Sequence, residues 1–253
     1  MKLGVSTGAA VEVASFKEEE ARIRAAYAYR DKSGKGELYS WWQPDVLLSY
    51  YRIQAVTAAG LRRAGWNELS HLRALDVGCG SGAWLRQLLA WGGRAENLHG
   101  VDLLADRIVA ARRLAPDVDY RQGDGWQLPY ANASMDLVSA HTVFSSILNE
   151  RARAAVAAEM TRVLEPRGYI LIFDFRISHP LNPDTVGIRR REIRRLFPGF
   201  RQYAQSLILA PPIARRLAPI APWLAVVIEA LCPPLRTHNV FLLQRKDKTC
   251  QTG

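Results

Sequence analysis

The chain has 253 residues, 34 Lys and Arg against 24 Asp and Glu, and 49% hydrophobic residues. That length suits one large domain with a cap, and the ordinary apolar and charged fractions exclude a disordered or fibrous chain. The formal charge of +10 favours anionic partners, but the excess is Arg spread along the chain with no basic tail, which weighs against a dedicated nucleic-acid binder.

Three cysteines, Cys79, Cys232 and Cys250, make neither a disulfide framework nor a Cys-x-x-Cys metal pair. The N-terminus carries Glu12 and Glu18 to Glu20 and no apolar segment of signal-peptide length, so a reducing cytoplasm is expected.

Residues 1–16 lack periodicity and read as a loose arm, whereas 17–66 read as helical, with Tyr50, Ile53, Val56 and Leu61 on one face. Ser33-Gly34-Lys35-Gly36 marks a loop, followed by the aromatic cluster Tyr39, Trp41 and Trp42. From Arg73 short apolar runs alternate with helical patterns. Strands are expected at 73–78, 98–103, 118–122, 135–141 and 168–175, with helices at 82–91, 105–114 and 151–163. A helix at 184–196, a strand at 201–209 and a last strand at 239–244 follow. The fold expected is α/β: a doubly wound sheet of seven strands whose last strand is antiparallel, with an N-terminal helical arm (1–66), a core (67–176) and a C-terminal part (177–253). The apolar stretch Leu217 to Leu235 is broken by Pro219, Pro222, Pro233 and Pro234, which argues for a helical cap at about 211–235 and against a spanning helix. Peripheral membrane contact near Arg215 and Arg216 stays open.

The most informative run is Ala74-Leu75-Asp76-Val77-Gly78-Cys79-Gly80-Ser81-Gly82. A buried strand there breaks into a turn whose glycines let a ligand approach backbone. Gly78, Gly80 and Ala83 also satisfy the dinucleotide pattern G-x-G-x-x-G/A, so the glycines alone do not discriminate. The acid does, because Asp76 would repel a pyrophosphate but suits an ammonium group. Asp102 lies 20 residues beyond Gly82, at the end of the next strand, where a carboxylate clamps a ribose diol. Gly123-Asp124-Gly125-Trp126, with Leu128-Pro129, provides an acceptor for an adenine amine and an indole for its face. Together these features point to S-adenosylmethionine, held by Asp76, Gly78, Cys79, Gly80, Gly82, Asp102, Leu103, Asp124, Gly125, Trp126 and His141; Tyr39, Trp41 and Trp42 either close over it, with Tyr39 and Trp41 touching the donor, or pack their helix against the sheet.

These segments, with Gly100-Val101-Asp102-Leu103, Ser134-Met135-Asp136-Leu137-Val138 and Glu159 to Pro166, resemble the class I S-adenosylmethionine-dependent methyltransferases, in the broad group that includes ubiquinone and menaquinone C-methyltransferases. The resemblance runs from about residue 70 to 176 and implies a Rossmann-like fold and the methyl donor. Pro166-Arg167-Gly168 departs from the family's Pro-Gly-Gly, in a turn away from the donor. Tyr39 to Trp42, Thr142 to Ile147 and Leu235 to His238 are similar to bacterial members found beside glycosyltransferases, which implies a glycan or glycolipid acceptor.

Methyl transfer from a sulfonium needs alignment, and a hydroxyl acceptor also needs a base. His141, past the fourth strand, is the first candidate base, with Asp174, His179 and His238 behind it; a His that only bonds donor or backbone is the alternative. Trp42, Phe144, His179, Arg191, Arg195 and His238 are candidates for acceptor binding. In the run Arg189 to Arg195, the basic face is either an anion clamp or a solvated surface. No metal set is evident. The leading expectation is O-methylation of a small-molecule or glycan hydroxyl. Quinone C-methylation, RNA methylation and a non-catalytic scaffold are the alternatives, and homodimerisation stays open.

Overall fold

The computed structural model describes residues 6–33, 40, 42–178 and 182–246. Its strands are β1 (Ala74–Val77), β2 (Leu98–Asp102), β3 (Asp119–Gln122), β4 (Met135–His141), β5 (Leu164–Phe175), β6 (Phe200–Leu209) and β7 (Arg236–Arg245). The helices are α1 (Ser6–Lys32), α2 (Pro44–Arg63), α3 (Ala83–Ala90), α4 (Ala105–Leu114), α5 (Glu150–Val163), α6 (Arg190–Leu196), α7 (Pro211–Leu217) and α8 (Pro222–Leu231).

The strands form one sheet in the order β3-β2-β1-β4-β5-β7-β6. The first five are mutually parallel, and β7 runs antiparallel to both of its neighbours. All four residues of β1 are buried, as expected for a central parallel strand covered on both faces. Ile23 of α1, Val156 and Met160 of α5 and Ile193 of α6 pack on one face of the sheet. Leu61 of α2, Leu85 of α3 and Ile108 of α4 pack on the other. Strand order reverses between β1 and β4, and a ligand crevice forms at the carboxyl ends of strands at such a point.

Local signals explain several boundaries. The Asn149 side chain caps α5 by accepting from the N–H groups of Arg151 and Ala152. α2, α7 and α8 each begin on proline, whose missing N–H costs nothing there.

Four boundaries differ from expectation, each for a long-range reason. The segment read as a loose arm is helical from Ser6, because Phe16 packs on Trp126 with centroids 5.4 Å apart and Asn149 donates to Ser15 at 2.6 Å. The helix expected from 184 starts at Arg190, because the Val186 and Ile188 N–H groups donate to Ser145 and Phe175 instead. β5 starts at Leu164, which pairs with Met135 before the register shifts around Pro166-Arg167-Gly168. β7 starts at Arg236, where its pairing with Leu209 begins. Among the described residues no helix is long and apolar enough to cross a membrane.

Candidate functional site

A cavity of about 1250 Å³ opens at the carboxyl ends of β1, β2 and β4, roofed by α1 and α2 and closed on one side by β7 and α7. Asp76, Gly78, Cys79, Gly80, Asp102, Leu103, Asp124, Gly125, Trp126, His141 and His238 all line it.

The β1–α3 turn is shaped by its glycines. Gly78 has φ +69°, and a Cβ there would lie 2.5 Å from Val143 Cγ2. Gly82 has φ +78°, and a Cβ would lie 2.3 Å from the Tyr120 hydroxyl. Gly82 therefore turns the chain into α3 over Tyr120 and is not itself part of the cavity wall. The Gly78 and Cys79 N–H groups both donate to the Val101 carbonyl, which pins the turn to β2. Burial pushes the Cys79 thiol well up, and the nearby charges of Asp76 and Asp102 add to this, so it is no nucleophile.

Asp102 accepts from Gly80 N–H at 2.8 Å through one oxygen and from Leu104 N–H at 2.9 Å through the other. Its carboxyl is raised, because desolvation outweighs those two bonds. Each oxygen keeps a second lone pair, which suits a diol. Asp124 is raised mainly by desolvation, and its Oδ1 is buried with no protein partner. A buried acceptor without a donor is costly, and an exocyclic amine of an adenine ring would satisfy it. Three acids at successive strand ends fit a cationic, diol-bearing ligand and disfavour a pyrophosphate. The residues present thus fit the methyl donor.

Register sets the remaining chemistry. Asp76 sits beside Ser139 across β1 and β4, and the Ser139 hydroxyl donates to its Oδ1 at 2.7 Å. The same oxygen faces His141 Nδ1 at 3.4 Å. A carboxylate only accepts, so this contact places a proton on Nδ1 and leaves Nε2 as the acceptor whenever the ring is neutral. Trp84 lies 5.1 Å from the His141 ring, centroid to centroid, and Phe173 lies 6.3 Å away. The His238 ring stacks on Phe173 at 4.9 Å and touches Phe175 at 4.4 Å. Burial lowers it to about 4, so it is neutral at physiological pH. The Thr237 hydroxyl donates to the Ile208 carbonyl and lies 2.9 Å from His238 Nδ1.

Other expected residues are not brought to the cavity. Asp174 is fully buried on the opposite face of β5, the side of Ile170 and Ile172, and accepts from Ser145 and Phe175 N–H at 3.1 and 2.8 Å. Burial pushes it up to about 6, and it anchors the turn after β4 and does not touch ligand space. Phe144 is core, 6.0 Å from Phe197. Arg191 and Arg195 are exposed and outside the cavity lining, because Ile193 and Phe197 take the inward face of that segment. Trp42 is 93% exposed and outside the lining as well. Tyr39, Trp41 and His179 lie outside the described residues. Sequence reasoning missed Trp84, whose Nε1 is buried without a partner at the cavity wall, and Gln87, which accepts from Tyr50 at 2.7 Å. Their positions on α3, directly after the glycine turn, were the available signal. Among the described residues no group of three or more His, Cys, Asp or Glu converges as a metal site.

Residues 74–168 match a methyltransferase domain. A demethylmenaquinone methyltransferase of Lactobacillus johnsonii is 32% identical over 133 residues, 50% of this chain and 52% of that protein. A 2-phytyl-1,4-naphtoquinone methyltransferase of Thermosynechococcus vestitus is 32% identical over 119 residues, 46% and 51% of the two chains. The chain thus spans about half the length of the curated relatives it matches. Among solved structures, the geranyl diphosphate C-methyltransferase of Streptomyces coelicolor aligns with a TM-score of 0.58 at 16% identity, over 82% of this chain and 86% of that one. With its strand-end acids, its reversed sheet order and a methyltransferase domain over residues 74–168, the chain resembles the class I S-adenosylmethionine-dependent methyltransferases.

Proposed function

We propose that the cavity methylates a ring carbon of a hydroxylated aromatic, quinol-like acceptor. The observation that carries this reading is the aromatic wall of Phe173, His238 and Phe175 beside His141, inside a largely apolar cavity. When bound, S-adenosylmethionine supplies an electrophilic methyl group on a sulfonium. Asp102 and Asp124 would hold its ribose and adenine, and Asp76 with the Gly78–Gly80 turn would face its amino-acid part.

His141 Nε2 would take the proton of a ring hydroxyl. That raises electron density at the neighbouring ring carbon as well as at oxygen; methyl transfer to carbon would release S-adenosylhomocysteine, after which the methylated carbon would lose its proton to water and the oxygen would regain one from the imidazolium. Two matched relatives are named for methylating naphthoquinone-type compounds, which supports carbon over the oxygen expected first. Neutral His238 would accept a hydrogen bond from the acceptor without adding charge to the apolar wall. The aromatic rings align the acceptor, and such alignment supplies roughly 7–11 kcal/mol of barrier reduction in well-oriented systems.

The test is incubation with labelled methyl donor and, separately, a naphthoquinol, a glycolipid and an RNA. Label on a ring carbon of the quinol is expected. Label on a sugar hydroxyl or on RNA, with none on the quinol, would overturn the reading.

A further inference from the structure

The cavity is flanked by a surface that the chemistry above does not use. α8 buries Ala225 and Glu229 and turns Trp223, Val227 and Leu231 outward, 68%, 41% and 76% exposed. These three lie four residues apart and make one stripe. Ile220, 80% exposed in the turn before the helix, extends it.

The charges around the stripe are one-signed. Pro211 to Arg236 contains a single acid, Glu229, against three arginines, Arg215, Arg216 and Arg236. Glu229 faces inward, where it accepts from Arg52 of α2 at 2.8 Å. The outer surface of this cap therefore carries apolar side chains and cations and no carboxylate. Arg216 is exposed on α7, whose Pro211, Pro212 and Arg215 line the cavity. The stripe and the cavity mouth are built by two helices packed on each other.

We infer that the outer face of α7 and α8 docks on an anionic phospholipid surface, with Trp223, Val227 and Leu231 in the headgroup–acyl boundary and Arg216 at the phosphates. A ten-residue helix is about 15 Å long, half of what a bilayer core requires, so α8 lies in the interface plane. Tryptophan suits that depth because its ring is apolar at one end and wet at the other. The net charge of +10 draws the chain toward such a surface. A second copy of the chain is the weaker occupant, because a stripe of four side chains falls well short of the ~800 Å² per partner of a stable interface. The inference goes beyond the acceptor chemistry and stands whether or not a quinol is the substrate.

Vesicle flotation tests it, using phosphatidylglycerol–phosphatidylcholine vesicles beside pure phosphatidylcholine. The full chain is expected to float with the anionic vesicles and much less with the neutral ones. Trp223→Ser and Leu231→Ser should each weaken that binding by about tenfold or more, from the apolar surface lost. Arg216→Glu should weaken it on anionic vesicles only. All three positions are exposed, and matching thermal melts would show that the variants fold. Wild type left at the bottom of the gradient with anionic vesicles would overturn the inference, as would a Trp223→Ser, Leu231→Ser double variant that floats as well as wild type. A double variant that still floats but changes from dimer to monomer in sedimentation would assign the face to a second copy. None of these readouts depends on methyl transfer.

Discussion

His141 Nδ1 stands 3.4 Å from Oδ1 of Asp76, the same oxygen that accepts the Ser139 hydroxyl at 2.7 Å. The glycine-turn acid therefore orients His141, the base proposed above, through its Nδ1. His141→Ala is expected to lower turnover by about 10²–10⁴ while donor affinity stays nearly constant. Single-turnover kinetics with a separate donor titration distinguish the two effects, and unchanged turnover removes His141 as base.

Asp124 offers a test in which binding should move far more than stability. Its Oδ1 is buried without a partner while the carboxyl also accepts from the Gln127 and Trp126 N–H groups, so Asp124→Ala should change the melting temperature little. Donor affinity should fall roughly tenfold to a hundredfold, as when a charge-assisted bond is lost. Calorimetric titration beside thermal melts checks both, and a variant that binds donor normally would free Asp124 from the adenine.

The glycine turn predicts a contrast between neighbours. Gly78→Ala combines a positive φ with a 2.5 Å overlap on the stiff side chain of Val143. Expected losses are about 1–2 kcal/mol for the backbone and ~1–3 for overpacking. Gly80 has φ +54° but open space where a Cβ would lie, so Gly80→Ala should show the backbone loss alone. Equal denaturation midpoints for the two variants would contradict this.

Arg52 and Glu229 join α2 to the cap, and Glu229 is the more deeply buried partner. Arg52→Ala leaves that carboxylate unpaired and should destabilise by about 2–3 kcal/mol, less than a fully buried pair because Arg52 is 29% exposed. Adding Glu229→Gln should restore much of the loss. Limited proteolysis of residues 211–235 follows the cap directly, and failure of the second change to rescue would mean that the pair is incidental.

His238 gives stability a pH dependence with a defined sign. Burial lowers its pKa from an ordinary 6.5 to about 4, so folding favours the neutral ring. Its contribution is complete above pH 6.5 and is lost as pH falls from there through about 4. Asp174, raised from 3.8 to about 6, acts oppositely: its proton is held more tightly when folded, so its contribution declines as pH rises through that window. His238→Phe keeps the stack on Phe173 and should remove the acid-side loss, leaving a variant whose relative stability improves between pH 6.5 and 4. Parallel pH profiles for the variant and wild type would refute the assignment.

The parallel half of the sheet was legible where a short apolar run is ended by a glycine or an acid, as at Val77-Gly78 and Val101-Asp102. The acids lining the cavity were legible because they lie at or beside the carboxyl ends of strands, which face the crevice by topology. Facing within a doubly covered strand was not. In β5 the residues on both faces are apolar, so nothing in Ile170 to Phe175 announces that Phe173 looks into the cavity and Asp174 away from it. Phe144 was misjudged similarly, because an aromatic next to a site looks the same whether it lines the wall or fills the core. The helical start at Ser6 depends on Trp126 and Asn149, more than a hundred residues away, and no local period records such a contact.

The position of β7 between β5 and β6 has a consequence for biosynthesis. Among the described residues β6 pairs with β7 alone, and β5 gains its outer neighbour from β7. As the chain leaves the ribosome, five strands can assemble while β6 has nothing to hydrogen-bond with. The segment that follows β6 then inserts between two waiting edges and brings His238 against Phe173 and Phe175. The β1–β2 side of the cavity can thus exist on a nascent chain before its β7 side does, and unpaired edges of this kind are where a chaperone or an aggregating neighbour would engage first.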